Sequence, residues 1–351
     1  MASRVTSITY KQNGTTMLGD LTYEYDKNGN RTKIGGSFAR TGIPQAITTT
    51  AYNSANHQTT FGDKTLTYDN SGNVEMITDS SGTTTYTWNA RNQLVGISGP
   101  GVTASFVYDG LGRREKKTVN SSLTEFLFDG INPVQETSGA NILANIVPGP
   151  GIDEFLTRTD IAASTTSFFL PDALGSSIAL TNAAGTVQTE YSYEPFGKTT
   201  VTGASNTSSY QYTGRENDGT GLYYYRARYY NPVLQHFISE DPIEFEGGDV
   251  NLYAYIWNDP VNYTDPSGQL PLAAIAAACA GGAAMNAAMD LGVAALSGRK
   301  VTLGDVASSA ASGCGAGVIG FGLGKALSRV ADVAKAGKGL AENPFKGKTP
   351  E

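Results

Sequence analysis

Cysteine and histidine are nearly absent: 351 residues hold only Cys279, Cys314, His57 and His236. Both cysteines lie in one Ala/Gly-rich stretch, which excludes a disulfide framework and a cysteine zinc cluster. Two histidines are too few for a histidine metal site, so no metal and no other cofactor is expected. Charge is sparse, at 16% of residues, and unevenly placed. Residues 1–270 carry 17 basic and 27 acidic side chains, whereas 271–351 carry 8 and 5. So acidic a body repels a phosphate backbone, and no nucleic-acid partner is expected. The opening MASRVTSITYKQNG has no apolar run of the kind a secretory signal needs. The expectation is a secreted or envelope-associated protein exported by another route, or a cytoplasmic one if the gene is a fragment.

Glycine and tyrosine, by contrast, are plentiful, with 42 and 19 copies. An aromatic followed by Asp or Asn recurs as Tyr68-Asp69, Trp88-Asn89, Tyr108-Asp109 and Phe128-Asp129, each 20 residues after the last. Tyr25-Asp26 and Tyr52-Asn53 are earlier, irregularly spaced copies. Three residues after each Asp or Asn stands Gly29, Asn56, Gly72, Asn92, Gly112 or Asn132. Gly and Asn tolerate positive φ. The spacing therefore predicts a type I turn closed by a left-handed residue, in a hairpin with a bulge, with the Asp or Asn side chain bonding the turn backbone. The flanks LTYEYD, KTLTYD and TTYTWN alternate Thr with apolar or aromatic residues, as a half-buried strand does. Ile34, Ile77 and Ile97, eight residues beyond the turn Asp or Asn, suit the returning strand.

The segment after Phe169 carries PDALGSS (171–177), YSYEPFG (191–197), YTGRE (212–216), GLYYYRARYYNP (221–232), FISEDP (237–242), NLYAY (251–255) and NDPVNYTDPSG (258–268). Those blocks, behind Tyr-Asp repeats, resemble the Rhs/YD-repeat proteins and their Rhs-associated core, whose animal relatives are the teneurins. The resemblance covers roughly residues 1–270. It implies a mainly β fold: antiparallel hairpins forming a curved sheet or partial β-shell around a C-terminal polypeptide, usually a toxin. Tyr alternating with Thr is compatible with a roomy, partly polar interior. Six or so repeats would build only part of a shell, as the terminal portion of a longer ancestor would.

The expected division is 1–168 repeat sheet, 169–270 core region, 271–335 Ala/Gly-rich helical pre-toxin region and 336–351 linker. The uncharged stretches 270–289 and 306–324 are long enough to span a bilayer. Their Ala and Gly supply little transfer energy, so packed helices are the better expectation and membrane contact is not expected. Partners implied by the resemblance are the chain's own C-terminal segment or a toxin, secretion machinery and an immunity protein.

Members of the resembling family commonly cut their own backbone just after a DPxGL motif, using enclosed aspartates. Two carboxyl groups sharing one proton can serve as base and acid. The resemblance places Asp265 in the motif, with Asp241 and Asp249 as candidates for the second carboxylate. The cleavage region would be Gly268, Gln269, Leu270 and Pro271. Gln269 stands where the family has Leu, and a Leu270-Pro271 bond would release a secondary amine. His236 stands where the family has Arg, which removes a guanidinium unless the histidine is protonated. Turn formation alone also accounts for the Asp-Pro pairs at 241, 259 and 265, and is the better expectation. The run Tyr223–Tyr230, with Arg226 and Arg228, reads as a strand with one buried face rather than a stacking platform. Three functions follow: a structural shell that carries a toxic segment between competing bacteria, an in-cis aspartyl self-cleaving peptidase at 268–271, and a surface adhesion or carbohydrate-binding protein.

Overall fold

The computed structural model describes residues 4–269. Residues 5–25 and 31–269 belong to one compact unit, and the turn 26–30 falls in a second. The expected helical region from 271, the linker, both bilayer-length stretches and the cleavage residues Leu270 and Pro271 lie outside the described residues.

Sixteen strands, from Thr50–Tyr52 to Thr199–Gly203, form one antiparallel sheet in which every strand pairs with its neighbours in sequence. The sheet does not close, since its first and last strands are not paired with each other. Strand Thr165–Pro171 spans the 168/169 division, and the sheet continues beyond it. A separate sheet of three strands covers Ser7–Gln12, Thr16–Tyr25 and Arg31–Gly35. Past Gly203 the long hairpins stop. A small sheet of Glu216–Asn217, Tyr223–Tyr225, Arg228–Asn231 and His236–Phe237 is followed, among the described residues, by turns and short 3-10 segments.

Each 20-residue repeat contains one wide turn and one tight turn. At the wide turns Gly29, Gly72, Asn92 and Gly112 adopt φ of 89°, 77°, 54° and 82°. The turn side chain holds the loop: Asp69 Oδ1 accepts Ser71 N–H at 2.8 Å and Asn73 N–H at 2.9 Å. Asn89 and Asp109 repeat the pattern, and Asp26 accepts the Asn30 N–H. Strand register shifts by one at Tyr68, Trp88 and Tyr108, the bulge that such turns require. Asp129 and Asn132 depart from this. They pair directly across a two-residue turn in which Gly130 takes the positive φ of 60°, leaving Asn132 as the first residue of a strand. Gly130 supplies the left-handed position earlier, so Asn132 is not needed for it.

The aromatic of each repeat has a second use. Trp88 Nε1 donates to Val74 O at 2.8 Å and Tyr108 Oη to Leu94 O at 2.6 Å, tying each repeat to its predecessor. Alternation separates the faces, with Leu66, Tyr86 and Phe106 buried and Thr65, Thr67, Thr83, Thr85 and Thr87 exposed. The threonines of these two strands therefore face outward, and the inner face is mostly aromatic and aliphatic, with the buried Arg114, Glu136 and Arg158 as polar members farther along the sheet.

The small sheet covers that inner face. Tyr224 and Tyr229 pack with Leu66, Val74 and Phe106, while Tyr223, Tyr225 and Tyr230 pack with Ile146, Phe155 and Leu180. Both faces of the Tyr223–Asn231 hairpin are thus buried, where alternation had suggested one. The large sheet wraps around the small one, so tyrosines are favoured on both sides.

Candidate functional site

The side-chain cluster with chemical potential lies where the last described residues meet the small sheet. Arg226 and Ala227 make the turn between Tyr223–Tyr225 and Arg228–Asn231, with Arg226 at φ 60°. This turn grips the motif segment in register. Arg226 Nη1 donates to Pro266 O, Ala227 N to Ser267 O at 3.2 Å, and Arg228 Nε to Gly268 O. Gly268 has φ 72°, and a Cβ there would stand 2.0 Å from Tyr225 O, so only glycine fits.

Arg228 is wholly buried and joins the two carboxylates. Its Nη2 lies 2.9 Å from Asp241 Oδ2 and 3.7 Å from Asp265 Oδ2. Its Nη1 donates to Leu252 O at 2.8 Å, and its guanidinium carbon lies 3.7 Å from the Phe237 ring centroid. Burial draws the Arg228 pKa down to about 10, opposed by Asp265 and Asp241. Asp265 Oδ1 accepts from Ser267 Oγ at 3.1 Å, Gly268 N at 2.9 Å and Gln269 N at 3.2 Å. Asp241 Oδ1 accepts the Ile243 N–H at 3.0 Å, while its Oδ2 is buried without a hydrogen bond. Burial raises the Asp241 pKa, opposed by Arg228 and reinforced by Asp265.

Of the candidate residues, Asp241, Asp265, Gly268 and Gln269 come together. Asp249 stands apart: half-buried, it accepts the Asn251 N–H at 2.9 Å and makes no ion pair with Arg228. His236 is also elsewhere. Its Nε2 lies 2.8 Å from Gln58 Oε1 and its Nδ1 2.6 Å from Phe237 O, and burial takes its pKa down to about 4. A neutral histidine there carries no charge to replace a guanidinium, and the guanidinium beside the two aspartates is that of Arg228. Arg228 escapes sequence reasoning because its alternation with tyrosine reads as ordinary strand patterning. The discoverable signal is three consecutive residues, Arg-Ala-Arg, at a hairpin tip.

Asp153, also without sequence signal, steadies the clamp. From a loop position at φ 60° it pairs with Arg215 at 2.5 Å and Arg226 at 2.6 Å. No group of three or more His, Cys, Asp or Glu among the described residues could hold a metal ion. No helix among them is long and apolar enough to cross a membrane.

The sheet, its aromatic-Asp turns and the enclosed motif segment define a YD-type shell wall. The teneurin YD-shell family model matches residues 1–261, and the chain belongs to that family. A tRNA3(Ser)-specific nuclease WapA of Bacillus spizizenii is 35% identical over 201 residues, 54% of this chain and 8% of that protein. Toxin subunit YenC2 of Yersinia entomophaga is 41% identical over 85 residues, 23% of this chain and 9% of that protein. The chain thus spans less than a tenth of the length of these two relatives. A structure of the Photorhabdus luminescens Tc holotoxin pore shares the fold, with a TM-score of 0.54 and 20% identity, over 76% of this chain and 17% of that one. Rhs- and Tc-toxin shells are accordingly the proteins this chain is similar to.

Proposed function

We propose that the chain is a wall segment of a toxin-delivery shell, and that the polypeptide following residue 269 is the segment the shell carries in competition between bacteria. One observation supports this reading most strongly: the last described residues lie in a buried site, with Gly268 gripped by the small sheet on the covered face of the wall. The family membership and the similarity to toxin subunits agree with it. The test is a competition assay between the source cell and a sibling lacking the linked immunity gene. Deleting the coding region for residues 50–269 should abolish inhibition, and undiminished inhibition would overturn the reading.

A second reading, self-cleavage in cis, is favoured by the convergence of Asp241 and Asp265 on one nitrogen of Arg228, beside the Gly268 backbone. Intact mass of the purified chain tests it. A released or retained C-terminal fragment in the wild type, absent from Asp265→Asn, is the expected result, and an uncut wild type excludes it.

A further inference from the structure

Both histidines of the chain lie in one seam, where the first hairpin of the sixteen-stranded sheet meets the small sheet. His57 stacks on Tyr68 at 4.2 Å, and the buried His236 contacts the buried Gln58 of strand Gln58–Phe61. That hairpin, Thr50–Tyr52 with Gln58–Phe61, is an edge of the sheet. It joins the next strand through Thr60–Thr65 and Phe61–Lys64 alone, the shortest ladder in the sheet. A short ladder at an edge is where a sheet opens first. We propose that His236 is an acid-operated latch: while its ring is neutral it holds hairpin 50–61 on the small sheet, and protonation releases that end of the wall.

Hydrogen bonding leaves the ring's charge as the deciding quantity. Nδ1 lies 2.6 Å from Phe237 O, and a carbonyl only accepts, so Nδ1 carries a hydrogen in either state. With a second proton, Nε2 donates to Gln58 Oε1 at 2.8 Å and the Gln58 amide donates to Tyr52 Oη at 2.9 Å. Without it, Nε2 accepts, and the amide turns over to give its nitrogen to the ring and its oxygen to the Tyr52 hydroxyl. Every hydrogen bond is thus met in both states, and what the charged state costs is burial.

The groups packed around His236 do not offset that cost. Gln58 is neutral, and Tyr253 presents its ring at 6.2 Å. Glu240, the nearby carboxylate, faces Tyr253 Oη at 3.2 Å and His57 Nε2 at 3.9 Å, and Asp69 accepts from the N–H groups of its own turn. Burial draws the His236 pKa from 6.5 down to about 4, opposed by the Phe237 carbonyl. The closed hairpin therefore binds the proton less readily than the open one, so closure is whole above about pH 6.5 and weakens as the pH falls toward 4. At pH 5 the opening equilibrium should stand on the order of 30-fold above its value at pH 8. Opening uncovers Phe61 and leaves Lys64–Tyr68 as the new edge of the sheet.

Hydrogen exchange of the full chain at pH 8 and pH 5, expressed as protection so that the intrinsic pH dependence of exchange cancels, tests the latch. The expected result is a roughly 30-fold loss of protection across 50–62 at the lower pH, with 94–108 unchanged. No loss across 50–62, or an equal loss across both stretches, overturns the latch. Gln58→Glu gives the ring an acidic partner and should keep the hairpin closed at pH 5, and opening as in the wild type would overturn the proposal. His236→Asn removes the titrating group, so its protection across 50–62 should be the same at both pH values. An acid loss equal to that of the wild type in this variant would take the switch away from His236. The wild-type comparison stands even if a variant does not fold.

Discussion

At Gly268, a positive φ and the Tyr225 carbonyl both exclude a side chain, whereas Gly101, with φ 73°, has nothing within 4 Å of its Cβ position. Gly101→Ala should therefore lose only the left-handed penalty, about 1 kcal/mol. Gly268→Ala should lose roughly 3 kcal/mol or more, because backbone must move as well. Urea unfolding of the two variants checks the contrast. His236 supplies a pH dependence at the same scale. Its folded pKa is about 4 against the ordinary 6.5, so between those values the unfolded chain binds the proton and the folded chain does not. Stability should be whole above about pH 6.5 and fall as the pH drops toward 4, by on the order of 3 kcal/mol at most. Melting curves across that window should flatten in His236→Asn.

Among the hairpins, the Asp or Asn that opens a wide turn and the aromatic before it act on different neighbours. Asp109 holds the Leu111 and Arg113 N–H groups of its own loop, and Tyr108 bonds Leu94 O in the preceding repeat. Asp109→Ala should cost about 1–2 kcal/mol by leaving those donors to compete for water. Tyr108→Phe should cost about 1 kcal/mol and loosen the link between repeats, visible as faster amide exchange around residues 93–95. Phe128 lacks that hydroxyl, and the turn after it is the one that departs from the pattern. The 20-residue period was legible because backbone geometry restricts the closing position of the turn to Gly or Asn. The departure at 129–132 was not, because Gly130 offers a competing left-handed residue one step earlier.

For the molecule as a whole, stability depends on the small sheet filling the large one. Arg114, from strand Arg114–Val119, is wholly buried between Glu216 and Asp218, with its guanidinium 4.2 Å from the Tyr224 ring centroid. Arg114→Ala would strand two buried carboxylates that Lys117 alone cannot balance, at a cost of about 3–5 kcal/mol, measurable by chemical denaturation. Truncation after residue 205 would uncover Leu66, Phe106, Phe155 and Leu180 together. Such a fragment should bind a hydrophobic dye and aggregate, while the full chain does neither.

Local rules gave the sequence its authority over the strands, the wide turns and the buried alternation of Leu66, Ile77, Tyr86 and Ile97, since each depends on residues at most a few positions apart. The candidate carboxylates Asp241 and Asp265 were legible as members of turn motifs, but their meeting was not. They are brought to one guanidinium by Arg228, which belongs to a strand whose position is set by packing against hairpins more than a hundred residues earlier. The same packing buries both faces of the tyrosine-rich hairpin, sends His236 to Gln58 instead of Asp265, and leaves Asp249 in its own turn. Sequence thus determined the repeating unit, because hydrogen bonding within a turn is local. Tertiary structure alone decided the site, because ion pairing inside the wall is fixed by which apolar surfaces exclude water together.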